Sequence, residues 1–211
     1  MQVSNLHLQF ANLYRFKGDV GIDKPIGELS RILVDQNITL NPTHIKEFLS
    51  TTIGEIFSNS INHSDQDITY FMFDIVYENP SFMLYVNIID YGKTIVENVR
   101  TYFQENIHKH ISSKGCISWA IQSGNTTRNS SGGYGLPTLI DYIKAVDGEL
   151  FIFSGNAYYC LENGQNETGE FSNCYFYGTS VTFKVEILKT TNALVFDPVD
   201  YCLTSISLEN I

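Results

Sequence analysis

The stretch from 68 to 92 reads ITYFMFDIVYENPSFMLYVNIIDYG, and it decides the fold. Two runs within it, 68–77 and 82–89, are rich in aromatic and β-branched residues, which is the composition of strands. The Asn79-Pro80 pair between them is a turn signal. The stretch therefore predicts an antiparallel hairpin whose second strand ends at Asp90.

A helix is predicted just before this hairpin. Asn41 is a favourable N-cap, and Pro42 after it is the residue preferred in the first helical turn. Apolar residues then recur at helical spacing up to Phe57, which predicts a helix over 42–63. The residues that form this apolar stripe are Ile45, Phe48, Leu49, Ile53, Ile56 and Phe57.

The chain beyond Asp90 mixes helical and strand patterns. Weakly helical pieces occupy 94–121, and the small, polar or glycine residues QSGNTTRNSSGGYG at 122–135 predict a mobile loop. A helix is predicted over 136–146, and four strand-like runs follow at 150–153, 158–161, 175–177 and 181–188. The pattern predicts an α/β (α+β) two-layer sandwich, with a mixed, mostly antiparallel sheet and helices on one face. No linker or repeat divides residues 1–211, so we expect one domain.

Composition narrows the class of protein. The 211 residues are 43% hydrophobic, which excludes disordered and coiled-coil chains. Lys and Arg number 13 against 23 Asp and Glu, a formal charge of −10 that disfavours nucleic acid as a partner. No run approaches the roughly 18 apolar residues of a membrane span, and the first residues lack a secretion signal. We expect a cytoplasmic protein whose four cysteines are buried, reduced thiols.

The predicted helix 42–63 carries a polar stripe as well as its apolar one. Glu55 and Asn59 are four residues apart, and Asn62 or His63 continues the same stripe. An amide oxygen can bind Mg²⁺, and a neighbouring carboxylate can act as a base beside a phosphate. The alternative is an ordinary solvated helix face.

Two further motifs lie where an element ends or begins. Asp90 follows a buried strand, and its carboxylate can accept a hydrogen bond from an exocyclic amine, which would select adenine over guanine. The glycine-rich segment GGYG at 132–135 opens the next helix and offers backbone N–H groups to an anion. The alternatives are a strand-ending Asp that caps a turn and a flexible hinge. The chain contains no P-loop motif.

Taken in order, these segments resemble the motifs of the GHKL ATPases, the superfamily of gyrase, the heat-shock chaperone, histidine kinases and MutL. EIFSNSINH at 55–63 resembles the N box, and DYG at 90–92 the first glycine box. GYGL at 133–136 is similar to the second glycine box and GT at 178–179 to the third. The resemblance spans 42–187, with 1–41 and 188–211 as peripheral extensions, and it implies a Bergerat fold.

The resemblance also implies a role for each matching residue. Asn59 would bind the Mg²⁺ on ATP, and Glu55 would orient or deprotonate the attacking nucleophile. Asp90 would accept the adenine amine with Thr179 beside it, and 96–132 would be a mobile lid. Two positions depart from the family pattern, because Thr94 and Pro137 stand where glycines are usual. The nucleotide-binding residues implied are Asn59, Asp90, Gly92, Arg128, Gly133, Tyr134, Gly135, Leu136 and Thr179.

The size of the chain and its N box are similar to those of the anti-sigma-factor serine kinases and related stand-alone GHKL proteins. The resemblance thus implies Mg²⁺-dependent ATP binding, with hydrolysis or transfer of the γ-phosphoryl group to a serine or threonine of a regulatory partner protein. A non-catalytic, nucleotide-dependent switch is the alternative, and an interaction protein that binds no nucleotide is a third hypothesis. For the terminal segments 1–41 and 188–211 we expect one of two roles, covering a sheet edge or forming a contact in a homodimer.

Overall fold

Seven strands and four α-helices make up the part of the chain described by the computed structural model, which comprises residues 12–17, 27, 31, 53–63, 68–78, 81–127 and 132–187. A short π-helical turn, Phe103–Ile107, continues the second helix. The strands are β1 (Asn12–Lys17), β2 (Ile68–Glu78), β3 (Ser81–Asp90), β4 (Glu149–Gly155), β5 (Ala157–Glu162), β6 (Gln165–Glu170) and β7 (Phe176–Ile187). The helices are α1 (Gly54–His63), α2 (Ile95–Tyr102), α3 (Ser113–Ala120) and α4 (Gly135–Ala145).

The strands form one sheet in the order β1-β2-β3-β7-β4-β5-β6. Every neighbouring pair of described strands is antiparallel. The sheet was predicted to be mixed and mostly antiparallel, but these strands form no parallel pair. The molecule is an α+β protein with four helices packed against a seven-stranded antiparallel sheet. This confirms the predicted α+β class and the hairpin of β2 and β3.

One face of the sheet forms the hydrophobic core. Alternate residues of β3 are buried from Leu84 to Asp90, and Ile88 lies opposite Val181 of β7. Helices cover this face, and the ring of Phe57 in α1 lies 5.7 Å from that of Phe71 in β2. The alternation of period two puts the same face of every strand under the helices.

Several predicted boundaries need correction. The predicted helix 42–63 is described only from residue 53 onward, and its earlier part lies outside the described residues. The runs at 175–177 and 181–188 are not separate strands, because Phe176–Ile187 is one strand, β7. Strand β1 was not predicted, and neither was β6, which consists of the polar residues QNETGE.

The prediction of one mobile lid over 96–132 is wrong for the residues that form helices. Helices α2 and α3 occupy much of it, and Val96, Val99 and Ile117 are each at most 2% exposed in the core. Burial of apolar side chains holds these helices on the sheet. Among the described residues of this region, 108–112, 121–127 and 132–134 form loops.

The opposite face of the sheet carries a row of aromatic rings. Phe153 stacks on Phe176 at 5.9 Å, and Phe151 on Tyr158 at 5.9 Å. The Tyr158 ring also covers Gly169 of β6, where an added Cβ would lie 2.5 Å from the ring. The cysteine prediction holds for Cys116, which is buried, but Cys160 is half-buried and Cys174 exposed.

Candidate functional site

A cavity of about 380 Å³ opens among α1, the ends of β3 and β7, α2, α3 and the loop before α4. This volume lies within the range of roughly 300–1,000 Å³ typical of small-molecule sites. The cavity deepens from Tyr134, which is 60% exposed, to Asp90, which is 6% exposed. Its lining consists of Ile56, Ser58, Asn59, Ser60, Ile88, Asp90, Lys93, Ile95, Asn98, Val99, Trp119, Ala120, Asn125, Thr126, Thr127, Gly132, Gly133, Tyr134, Gly135, Leu136, Pro137, Thr179 and Val181.

The structure brings residues from all four sequence motifs into this cavity. They are Asn59, Asp90, the segment 133–136 and Thr179. Three predicted residues are not among the lining. Gly92 is not among the lining residues. Arg128 lies outside the described residues. Glu55 lies in α1, but its side chain is not among those described.

Asp90 sits at the buried end of the cavity within a set of hydrogen bonds. Ser60 donates its hydroxyl to Oδ2 at 3.1 Å, and the backbone N–H of Thr179 donates to Oδ1 at 3.2 Å. Ser60 is also 2.9 Å from the hydroxyl of Thr69 on β2. Burial raises the pKa of Asp90 to about 6, although both donors act against this rise. The carboxylate remains an acceptor at neutral pH.

The backbone requires a glycine at position 178, next to Thr179. Its φ is +151°, and a Cβ there would lie 1.9 Å from the carbonyl oxygen of Asp90. Only glycine allows β7 to approach the end of β3 so closely. This contact places the N–H of Thr179 on the Asp90 carboxylate.

Ser154 joins the same region from β4, and it is fully buried. Its hydroxyl donates to the carbonyl of Gly178 at 3.0 Å and accepts from the N–H of Ile95 at 2.8 Å. It also lies 2.8 Å from the hydroxyl of Thr179. One side chain therefore connects the start of β7 with the start of α2.

Thr94, which stands where the GHKL pattern usually has glycine, has a clear local role. It is the N-cap of α2 in a capping box: its hydroxyl accepts from the N–H of Glu97, and its own N–H donates to the Glu97 carboxylate at 2.8 Å. Thr94 is 1% exposed. Thr94 thus starts a helix directly at the cavity wall, where Ile95 and Val99 provide apolar surface.

The glycine-rich segment forms the shallow end of the cavity. Gly133 has φ +82°, and a Cβ on it would lie 2.2 Å from the carbonyl oxygen of Asn125. The Gly133 carbonyl also accepts from the N–H of Gly124 at 3.1 Å, which closes the loop on itself. The following helix, α4, begins without a side-chain cap. The first N–H groups of a helix lack intrahelical partners, so those of Gly135 and Leu136 can serve an anion. Pro137 removes no helical hydrogen bond here, because it lies in the first turn.

Several residues of this site were missed by sequence reasoning. Lys93 is the one lysine or arginine among the described residues that line the cavity, and Trp119 is the only tryptophan of the chain. The Trp119 ring stacks on that of Tyr102 at 5.4 Å. Ser60 and Ser154 orient the polar end. A lysine directly after the DYG motif was a visible signal, whereas the two serines carry none without the tertiary structure.

The cavity combines three chemical environments. Its buried end presents acceptor oxygens, its walls are apolar side chains such as Ile88 and Val181, and its shallow end presents backbone N–H groups with Lys93 in the lining. Such a cavity suits a ligand with a hydrogen-bond donor at one end, an apolar middle and an anionic group at the other end.

Within the described ranges, no group of three His, Cys, Asp or Glu side chains could hold a metal ion, and His108 and His110 are exposed as single side chains. No helix in the described part of the chain has the length and apolar character needed to cross a membrane.

No family model matches the chain, and no curated protein matches it either.

Proposed function

We propose that this chain is a Mg²⁺-dependent ATP-binding protein of the GHKL type, with the Bergerat arrangement of sheet and helices. One observation carries the proposal. Asn59, Asp90, Thr179 and the glycine-rich segment 133–136, which are up to 120 positions apart in the sequence, line a single cavity with acceptors at its buried end.

The proposed ligand pose follows from the three environments of the cavity. The adenine amine donates to Asp90, with the hydroxyl of Thr179 beside it, and the ring lies between apolar walls. The phosphates lie at the N-terminus of α4, where the helix dipole and the N–H groups of Gly135 and Leu136 favour negative charge. Lys93 adds positive charge to this lining.

The residues present are compatible with Mg²⁺ bound jointly with a nucleotide. Asn59 lines the cavity and its amide carries an oxygen of the kind that binds Mg²⁺, an ion that commonly takes only one or two protein ligands, with substrate phosphates and water completing its shell. When bound, the ion would neutralise phosphate charge.

Glu55 is the proposed base, because it lies one helical turn before Asn59 on α1. Its carboxylate accepts the proton of a water molecule or of a serine or threonine hydroxyl from a regulatory partner protein. The nucleophilic oxygen then bonds to the γ-phosphorus, the bond from that phosphorus to the β–γ bridging oxygen breaks, and ADP leaves. We place this reaction in the cytoplasm, with the accepting hydroxyl on a separate partner protein.

A non-catalytic switch is the second candidate, and the loop geometry favours it. The loop of residues 121–127 is tied to the glycine-rich segment by the hydrogen bond from Gly124 to Gly133 and by the close packing of Gly133 on Asn125. A nucleotide at that segment would shift this loop and so change a surface that a partner protein or a second copy contacts.

Fluorescence of Trp119 tests binding directly, since this side chain lines the cavity and no other tryptophan contributes. MgATP should change the emission in a saturable manner. Asn59→Ala should abolish the magnesium-dependent change in emission. Asn166→Ala, at an exposed site on β6, should leave this change intact. A wild-type chain that binds no MgATP, or an Asn59→Ala chain that binds it normally, would contradict the proposal.

Turnover separates the two candidates. Phosphate release by the wild type that Glu55→Gln removes, while MgATP affinity is retained, supports catalysis. Binding without turnover in both proteins supports the switch.

A further inference from the structure

We infer that Ser154 determines ligand specificity in the cavity, because it fixes the hydroxyl of Thr179 as a hydrogen-bond acceptor. The inference rests on the proposed function, since it concerns the end of the cavity assigned to the base. Ser154 is fully buried and does not line the cavity itself. It therefore acts through Thr179 as a positioning residue.

A count of protons and lone pairs gives the direction of each hydrogen bond. A serine hydroxyl has one proton and two lone pairs. The Gly178 carbonyl can only accept, so it receives the Ser154 proton across 3.0 Å. The N–H of Ile95 can only donate, so it occupies one lone pair at 2.8 Å. The remaining lone pair faces the hydroxyl of Thr179 at 2.8 Å and must receive its proton.

The consequence for Thr179 is that its proton points away from the cavity. Only the lone pairs of its oxygen are left for a ligand. The neighbouring Asp90 carboxylate also offers only acceptors when ionised, and its two oxygens already accept from Ser60 and from the Thr179 N–H. The buried end therefore accepts hydrogen bonds and donates none, so it matches a 6-amino purine and repels a 6-oxo purine.

Removing the Ser154 hydroxyl changes this balance. In Ser154→Ala the Thr179 proton has lost its acceptor, so the hydroxyl can rotate and donate to a ligand carbonyl. We expect the preference for MgATP over MgITP to fall by about tenfold, the value of roughly one hydrogen bond. Affinity for MgATP itself can also fall, because the Ile95 N–H and the Gly178 carbonyl lose a buried partner. The ratio of affinities is therefore the decisive quantity.

Ser113→Ala is the control. It deletes another buried serine hydroxyl, one that accepts from the Arg100 guanidinium at 3.0 Å and does not line the cavity. Its MgATP affinity and its ratio of MgATP to MgITP affinity should both stay near those of the wild type.

The experiment measures dissociation constants of MgATP and MgITP by Trp119 fluorescence for wild type, Ser154→Ala and Ser113→Ala. A lowered ratio in Ser154→Ala alone supports the inference. An unchanged ratio in Ser154→Ala, or an equal fall in Ser113→Ala, overturns it while the proposed function stands. A wild type that binds neither nucleotide overturns both. If Ser154→Ala does not fold, Thr179→Val decides: it removes the acceptor oxygen, so a ratio equal to that of the wild type overturns the inference.

Discussion

Replacement of Asp90 by asparagine should stabilise the protein in the absence of nucleotide. Asp90 is a buried carboxylate without a cationic hydrogen-bond partner among the described contacts, and burial of its charge opposes folding. Asparagine keeps the shape of the side chain. Its carbonyl can accept from the Thr179 N–H, while the Ser60 hydroxyl can turn to accept from the amide and donate to Thr69.

The magnitude follows from the pKa of Asp90. Burial raises it from 3.8 to about 6, and each pKa unit corresponds to about 1.36 kcal/mol. The ionised carboxylate therefore lowers the free energy of unfolding by about 3 kcal/mol at neutral pH. Because the folded-state pKa is raised, this penalty is absent below pH 3.8, grows as the pH rises, and is complete above about 6.

Urea unfolding of wild type and Asp90→Asn from pH 4 to pH 8 measures this effect. The difference in unfolding free energy should be small at pH 4 and should approach 3 kcal/mol in favour of the variant above pH 7. Asp74→Asn is a suitable control, because burial also raises the pKa of Asp74, but this half-buried residue lies away from the cavity. A difference that does not vary with pH, or a variant less stable than wild type at pH 7.5, would refute the reasoning.

Three further predictions concern the walls of the cavity. Gly133→Ala should destabilise the chain more than Gly124→Ala, although both glycines have φ +82°, because only at Gly133 would the new Cβ meet backbone at 2.2 Å. In urea unfolding, Gly124→Ala should lower the free energy of unfolding by about 1–2 kcal/mol. Equal losses in the two variants would contradict the packing argument. Thr94→Ala should cost about 1 kcal/mol through loss of the α2 cap, and thermal unfolding that matches wild type would argue against this role. MgATP affinity should fall as the pH drops below about 6, since a protonated Asp90 loses an acceptor for the amine; a fluorescence titration with the same dissociation constant at pH 5 and pH 7.5 would count against the amine contact.

The hairpin of β2 and β3 could be predicted because its signal is local. Aromatic and β-branched runs on either side of a proline turn leave little choice of structure. The Asn163-Gly164 turn is a similar case, and the structure gives both residues positive φ, as a two-residue hairpin turn requires. The order of the four motifs was also visible, which is why the cavity could be anticipated before its walls were known.

Strand β6 could not be predicted, because nothing in QNETGE favours a strand by itself. It exists through its pairing with β5 and through the Tyr158 ring that covers Gly169. An edge strand needs no apolar side chains of its own when its neighbour supplies the contact.

The positioning residues of the site were hidden for a related reason. Ser154 stands in the apolar run LFIFSG, and only the register of β4 against β7 brings it to Thr179. Ser60 follows Asn59 in α1 and reads as an ordinary polar helix residue until Asp90 is placed against it. Hydrogen bonds between distant segments leave no periodic signal in the sequence.

A crystal structure with magnesium and a non-hydrolysable ATP analogue tests the central claim most directly. We predict the adenine amine within hydrogen-bonding distance of the Asp90 carboxylate and the phosphates at the N–H groups of Gly135 and Leu136. Asn59 should coordinate the metal ion. An analogue bound elsewhere on the protein, or bound with its phosphates toward Asp90, would contradict the account.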